Sequence, residues 1–130
     1  MKFSDLQAIN FNVNNMIQYK PDMETYGRSE EWAIAETVGD CEDYALRKLH
    51  ELLALGWPLE KLRLATCWVE NNLGYHAVLV VTDVENDDGY IGNYVLDNRF
   101  MNIYQPETQT SYTWDKIQQT GGSATWVKFY

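Results

Sequence analysis

Gly39-Asp40-Cys41-Glu42-Asp43-Tyr44-Ala45-Leu46-Arg47-Lys48-Leu49 decides the fold of this chain, because a thiol between carboxylates stands where an amphipathic helix begins. From about Cys41 to Leu55, Ala45, Leu46, Leu49, Leu52 and Leu53 form an apolar stripe, with Arg47, Lys48 and Glu51 expected on the other side. Gly56-Trp57-Pro58 stops the helix, glycine at its C-terminus and proline just after. Upstream, Ser4 is placed to cap a helix carrying Leu6, Ile9, Phe11, Val13, Met16 and Ile17, which ends before Tyr19-Lys20-Pro21. A turn-rich connector starts at Pro21-Asp22-Met23. A shorter helix is expected from Ser29, whose following acids suit the positive end of a helix dipole, and Gly39 breaks it.

Downstream the apolar period changes to two. Leu62–Val69 and Tyr75–Val81 read as strands joined through Glu70-Asn71-Asn72-Leu73-Gly74. Glu85-Asn86-Asp87-Asp88-Gly89 is a second turn, Asn93–Asp97 a third strand and Trp126–Tyr130 a last one. Helices first and antiparallel strands afterwards indicate an α+β fold with the helices packed on one face of the sheet. The length, 130 residues, suits one domain over 1–130 with a single core.

The net charge of −9 works against any surface that must neutralise phosphates, so nucleic acid and anionic membrane are poor partners. No stretch approaches the ~20 apolar residues of a membrane span, and Met1–Leu6 lacks the apolar run of a signal peptide. The expected location is cytoplasmic or virion-associated. Two cysteines, Cys41 and Cys67, make no disulfide framework, and a reduced compartment is the simpler expectation.

Cys41 falls in the first helical turn, where unpaired backbone N–H groups and the dipole favour an anion. Two readings stand at this point. In one, Cys41 is a nucleophile; in the other, Asp40 caps the helix, Asp43 completes a capping box, and Cys41 is a small filler. A nucleophile needs a base, and His50, nine residues along the same helix, lies ~13 Å up the axis and half a turn round. His76 near the start of a strand is the remaining histidine. The group that orients it is sought at strand ends: Asp97 first, Asn98 in reserve and Asp83 weaker. Cys67 alternates with Ala65 and Val69 and reads as core; a Cys41–Cys67 disulfide would disable the site.

Helix-borne Cys, strand-borne His and an acid on the next strand follow the chain order of papain-like and transglutaminase-like folds. GDCEDYALRKL, LGWPLEKLRLATCWV, YHAVLVV and YVLDNRF resemble the bacterial transglutaminase-like cysteine proteinases, whose periplasmic members clip biofilm adhesins. The upstream VNNMIQYKPDMETYGRSEEWAIAE is similar to that family's Val-Asn, Ile-x-Tyr, Asp and Trp pattern. The resemblance runs from about residue 10 to residue 104 and implies a catalytic Cys41, a base His76 and an orienting Asp97. It departs between Trp32 and Gly39, a segment shorter than in the family and without its Thr-Pro step, which bears on the shape of the substrate groove. The compact form is similar to versions found in phages.

The implied activity is a cysteine peptidase acting on a protein or peptide substrate through a thioacyl-enzyme. Alternatives are transglutaminase- or amidase-type acyl transfer by the same residues, or a catalytically silent binding module. The backbone N–H of Cys41 suits an oxyanion donor, with Trp32 a loose candidate for the second. No organic cofactor is implied. The resemblance implies calcium on Asp40 and Glu42, which Asp43 could join, and hard carboxylate oxygens suit that ion; helix capping is the competing account. The acidic 85–89 turn departs from an EF-hand loop and reads as solvated.

Overall fold

A computed structural model describes residues 2–19, 38–39, 41–69, 74–106, 112–122 and 124–129. The expected connector at Pro21 and helix from Ser29, together with Trp32, Asp40, residues 70–73 of the first hairpin and Tyr130, lie outside the described residues. Among these residues the chain forms helix α1 (Phe3–Met16), short strands β1 (Gln18–Tyr19) and β2 (Val38–Gly39), and helix α2 (Cys41–Ala54). Strands β3 (Leu62–Val69), β4 (Gly74–Glu85), β5 (Ile91–Leu96), β6 (Thr113–Gln118) and β7 (Trp126–Lys128) follow. They build a five-stranded sheet in the order β5-β4-β3-β6-β7, every pair antiparallel, while β1 and β2 pair in parallel apart from it. The α+β class read from the sequence is the observed architecture.

α1 begins two residues earlier than expected. Lys2 is its N-cap, and the Asp5 carboxylate accepts the Lys2 backbone N–H at 3.0 Å, leaving Ser4 inside the first turn. At the other end of α2, Gly56 takes φ +94°, which lets Trp57 N–H reach the Leu52 carbonyl at 3.1 Å and turns the chain toward β3. Trp57 packs beneath and donates its indole N–H to Asp5, so the start of α1 and the end of α2 are tied together.

The helices cover one face of the sheet. Leu6, Ala45, Leu49 and Leu52 join Leu62, Leu64, Leu79, Val81 and Leu96 in one cluster. The alternate residues Ala65, Cys67, Val69, Val78, Val80 and Val95 form the opposite face, covered by Tyr112, Ile117, Phe100, Trp114 and Phe129. Burial on both faces explains why β3 and β4 read as nearly continuous apolar runs.

Three expectations need correction. The sequence signals predict no strand over 113–118, yet Trp114 and Ile117 carry half-buried and buried positions of β6, just after the buried Tyr112. Lys48 does not lie on the solvent side of α2: it is wholly buried, on a helix that packs against both α1 and β4. Asp83 is exposed, with φ +55° at the irregularity between Val81 and Val84, seven residues along β4 from His76. Seven strand steps are ~23 Å, so Asp83 takes no part beside His76.

Candidate active site

The course of the chain sets the ends of α2 and of the sheet against each other. Leu49 and Leu52, late in α2, pack with Leu62 and Leu64, early in β3, and a single 3-10 turn at Leu59–Lys61 joins the two elements. β3 therefore runs back along the helix. From Leu62 to Cys67 it advances ~17 Å, close to the ~20 Å length of α2. Cys67 pairs with His76, so the strand end that bears His76 lies toward the helix end that bears Cys41.

His76 and Asp97 are in contact: imidazole Nε2 lies 2.7 Å from Asp97 Oδ1, and both side chains are buried. Asp97 follows directly on β5, whose Leu96 pairs with Leu79, and the same register brings the acid beside the His76 end of β4. Because the carboxylate occupies Nε2, that nitrogen is the donor and Nδ1 is left to exchange a proton with a substrate or nucleophile.

Asp97 has further partners that the sequence did not announce. The phenol of Tyr112 donates to Oδ2 at 2.6 Å, and Arg99 donates its backbone N–H to Oδ1 at 2.9 Å. The Arg99 guanidinium adds Nε at 3.1 Å and a terminal nitrogen at 3.0 Å, both to Oδ2. Arg99 in turn stacks near the rings of Phe100 and Tyr112. Burial alone would raise the Asp97 pKa, but the hydrogen bonds and charge of His76, with Tyr112 and Arg99, outweigh it and hold the acid well below the ordinary carboxylate range. Burial, then the Asp97 charge, push the Tyr112 phenol far above its ordinary value, so it stays a donor. Asn14 fixes the backbone of the same turn, its Nδ2 donating to the Asp97 and Phe100 carbonyls at 3.1 and 2.9 Å.

Cys41 opens α2 with its Sγ 3.5 Å from Glu42 Oε2, a weak thiol-to-carboxylate contact. Asp43 is fully buried in the same turn. No disulfide joins Cys41 to Cys67. Burial, then the Asp97 charge, push the Cys67 thiol up to about 12, so Cys67 is inert core, as its strand alternation implied. His50 is exposed on the outer side of α2, and Asn98 is half-buried beside Asp97. The structure thus joins His76 to Asp97 directly and places Cys41 on the helix packed against the strand of His76.

For calcium, the donor chemistry fits at Glu42, a half-buried carboxylate at the helix start. Among the described residues no group of three acidic, His or Cys side chains converges as a metal site, and Asp40 lies outside them. The 85–89 turn is largely exposed, with Gly89 at φ +84° closing it. Among the described residues no helix is long and apolar enough to cross a membrane.

A buried imidazole–carboxylate pair beside a helix that starts with cysteine, on an antiparallel sheet, defines an α+β protein of the transglutaminase-like thiol hydrolase type. The chain belongs to the bacterial transglutaminase-like cysteine proteinases, whose family model matches residues 1–130. Its fold is similar to that of calcium-bound LapG from Legionella pneumophila, with TM-score 0.71 and 21% identity over 93% of this chain and 72% of that one. The EGTA-treated form of LapG gives TM-score 0.72 and 20% identity over 98% of this chain and 67% of that one. This chain thus spans about two thirds of the second neighbour. No curated protein matches it.

Proposed function

We propose that the protein is a cysteine peptidase that cleaves an amide bond of a protein substrate with Cys41 as nucleophile, His76 as acid–base and Asp97 as orienting acid. The observation that carries this reading is the buried 2.7 Å contact between His76 Nε2 and Asp97 Oδ1, on the strand against which the helix of Cys41 packs. Asp97 fixes the tautomer and steadies the imidazolium. Nδ1 takes the thiol proton, and the thiolate attacks the carbonyl carbon to give a tetrahedral oxyanion. The Cys41 backbone N–H, in the first turn of α2, is the oxyanion donor in this reading. His76 returns the proton to the leaving amine as the C–N bond breaks and the thioacyl-enzyme forms. It then takes a proton from water, which attacks the thioester; Cys41 leaves as thiolate and the acid product departs. Trp32 as second oxyanion donor belongs to the same reading.

Glu42 and Asp40 are the residues that would hold calcium. The ion, when bound, would neutralise carboxylates that otherwise oppose a thiolate beside them. That LapG has been seen calcium-bound and EGTA-treated supports this assignment. A single domain over 1–130, an acidic surface unsuited to nucleic acid and a phage setting complete the proposal.

The test is modification of Cys41 by iodoacetamide, with and without calcium or chelator, in the wild type, His76→Ala and Asp97→Asn. The reading requires rapid modification that each substitution slows at least tenfold. Modification no faster than that of an unactivated thiol, unchanged in both variants, sinks it. Peptide products formed with and without added amine then divide hydrolysis from acyl transfer.

A further inference from the structure

Lys48 is wholly buried, and its Nζ has no direct hydrogen-bond partner among the described residues. A buried ammonium is costly, and beyond the face of the Tyr44 ring, 5.9 Å from Nζ, its surroundings matter. Lys48 lies seven residues beyond Cys41 on α2, two turns along and on the same helix face. The packing of α1 against α2 fixes what it meets. Tyr44 packs with Val13 and Ile17 and donates its hydroxyl to the Ile17 carbonyl at 2.8 Å, whereas Leu6 joins the cluster of Ala45, Leu49 and Leu52. The helices are therefore antiparallel, and Lys48, one turn past Tyr44, stands at the level of Asn10, one turn before Val13 and Asn14.

Asn10 and Asn14 both serve the turn that carries Asp97. Asn10 Nδ2 donates to the Phe100 and Met101 carbonyls at 2.9 and 3.2 Å, and Asn14 Nδ2 to those of Asp97 and Phe100. Their amide orientations leave both Oδ1 atoms buried without a direct partner among the described residues. Buried polar atoms thus remain on both packed helices, the Asn10 and Asn14 Oδ1 acceptors on α1 and the Lys48 ammonium on α2, with Asn98 Oδ1 a further one in the turn itself. An enclosed water satisfies such a set.

We propose that Lys48 is a positioning residue for the His76–Asp97 pair, its ammonium joined through one enclosed water to Asn10 and Asn14 and so holding the Asp97–Met101 turn. The inference rests on the peptidase reading for its catalytic consequence but not for its geometry. Burial pulls the Lys48 pKa down to about 7, with a partial offset from the Asp97 charge. Titratable groups on the packed elements include His76 on β4, Arg99 beside Asp97, Asp5 at the far end of α1, and Cys41, Asp43 and Tyr44 on its own helix. α1 presents only neutral amides here.

The experiment compares wild type with Lys48→Met, which keeps most of the stem and removes the charge. Amide exchange at Arg99 and Phe100, whose N–H groups bond to Asp97, is expected to quicken about tenfold in the variant. Modification of Cys41 is expected to slow about tenfold at pH 6, and the two proteins are expected to converge near pH 9, where the wild-type amine is neutral. Unchanged exchange, or the same deficit at both pH values, overturns the proposal. If exchange quickens while His76→Ala and Asp97→Asn leave modification untouched, positioning stands and the peptidase reading alone fails. Should Lys48→Met not fold, an NMR titration of the wild-type side-chain amine decides: a midpoint in the ordinary lysine range overturns the proposal.

Discussion

The Tyr112 hydroxyl donates to Asp97 Oδ2 at 2.6 Å, on the oxygen that His76 does not use. The acid is thereby held on both oxygens, and its orientation toward His76 depends on a residue from outside the sheet positions that carry the pair. Tyr112→Phe removes one charge-assisted donor from a buried carboxylate. The variant is expected to lose about 1–3 kcal/mol in denaturant unfolding and to modify Cys41 more slowly than wild type. Full stability with full reactivity would show that Arg99 and His76 hold Asp97 without it.

Asp97 also predicts the acid behaviour of the protein. Its folded pKa lies below the ordinary value of 3.8, so its contribution to stability is complete above that pH and is lost as pH falls toward the folded value. Wild-type stability is expected to drop across this acid range more steeply than that of Asp97→Asn, which has no proton to gain there. Parallel unfolding curves for the two proteins between pH 5 and pH 2 (about the window set by these values) would contradict the assignment.

Lys48 gives the opposite limb. Its folded pKa is about 7 against an ordinary 10.5, so between these values the unfolded chain binds the proton that the folded chain has released. Stability therefore rises with pH through this window, by up to about 1.4 kcal/mol per pH unit. Lys48→Met is expected to abolish that slope and to be at least as stable as wild type at pH 6, since a buried charge with no counter-ion in direct contact among the described residues is replaced by a thioether. Urea unfolding at three pH values measures both.

The two thiols should differ sharply. Cys67 is fully buried with a raised pKa, whereas Cys41 is 9% exposed at a helix start. Peptide mapping after brief alkylation of the native protein is expected to find the label on Cys41 alone, and Cys67→Ala is expected to leave that rate unchanged. Cys67 label in the folded protein would refute its place in the core.

Gly121 tests the covering of the sheet. A Cβ there would fall on the Leu59 carbonyl oxygen, a backbone atom that cannot yield without moving the link between α2 and β3. Gly121→Ala is expected to cost about 1–3 kcal/mol, the range for forced backbone shifts, read as a lowered unfolding midpoint.

Local chemistry made much of the molecule legible in the sequence. The period of Ala45, Leu49 and Leu52, the stop at Gly56 and the alternation along Leu62–Val69 fixed α2 and β3 within a residue, because each signal is written within a few turns or strand steps. Cys41, His76 and Asp97 were singled out by elimination and by family resemblance, and the tertiary structure added the His76–Asp97 contact itself. What local pattern could not supply were roles set by distant partners. Lys48 has the spacing of a solvent-facing lysine, and its burial arises only in the packing of α2 against α1 and β4, elements distant in sequence. Arg99 meets Asp97 within one tight turn, but Tyr112 acts on it only because the turn after β5 and the residue before β6 meet there, a packing event that no short window of residue types records. The sequence by itself thus determined the elements and the candidate chemistry; the tertiary structure decided which charges are buried and what holds the acid in place.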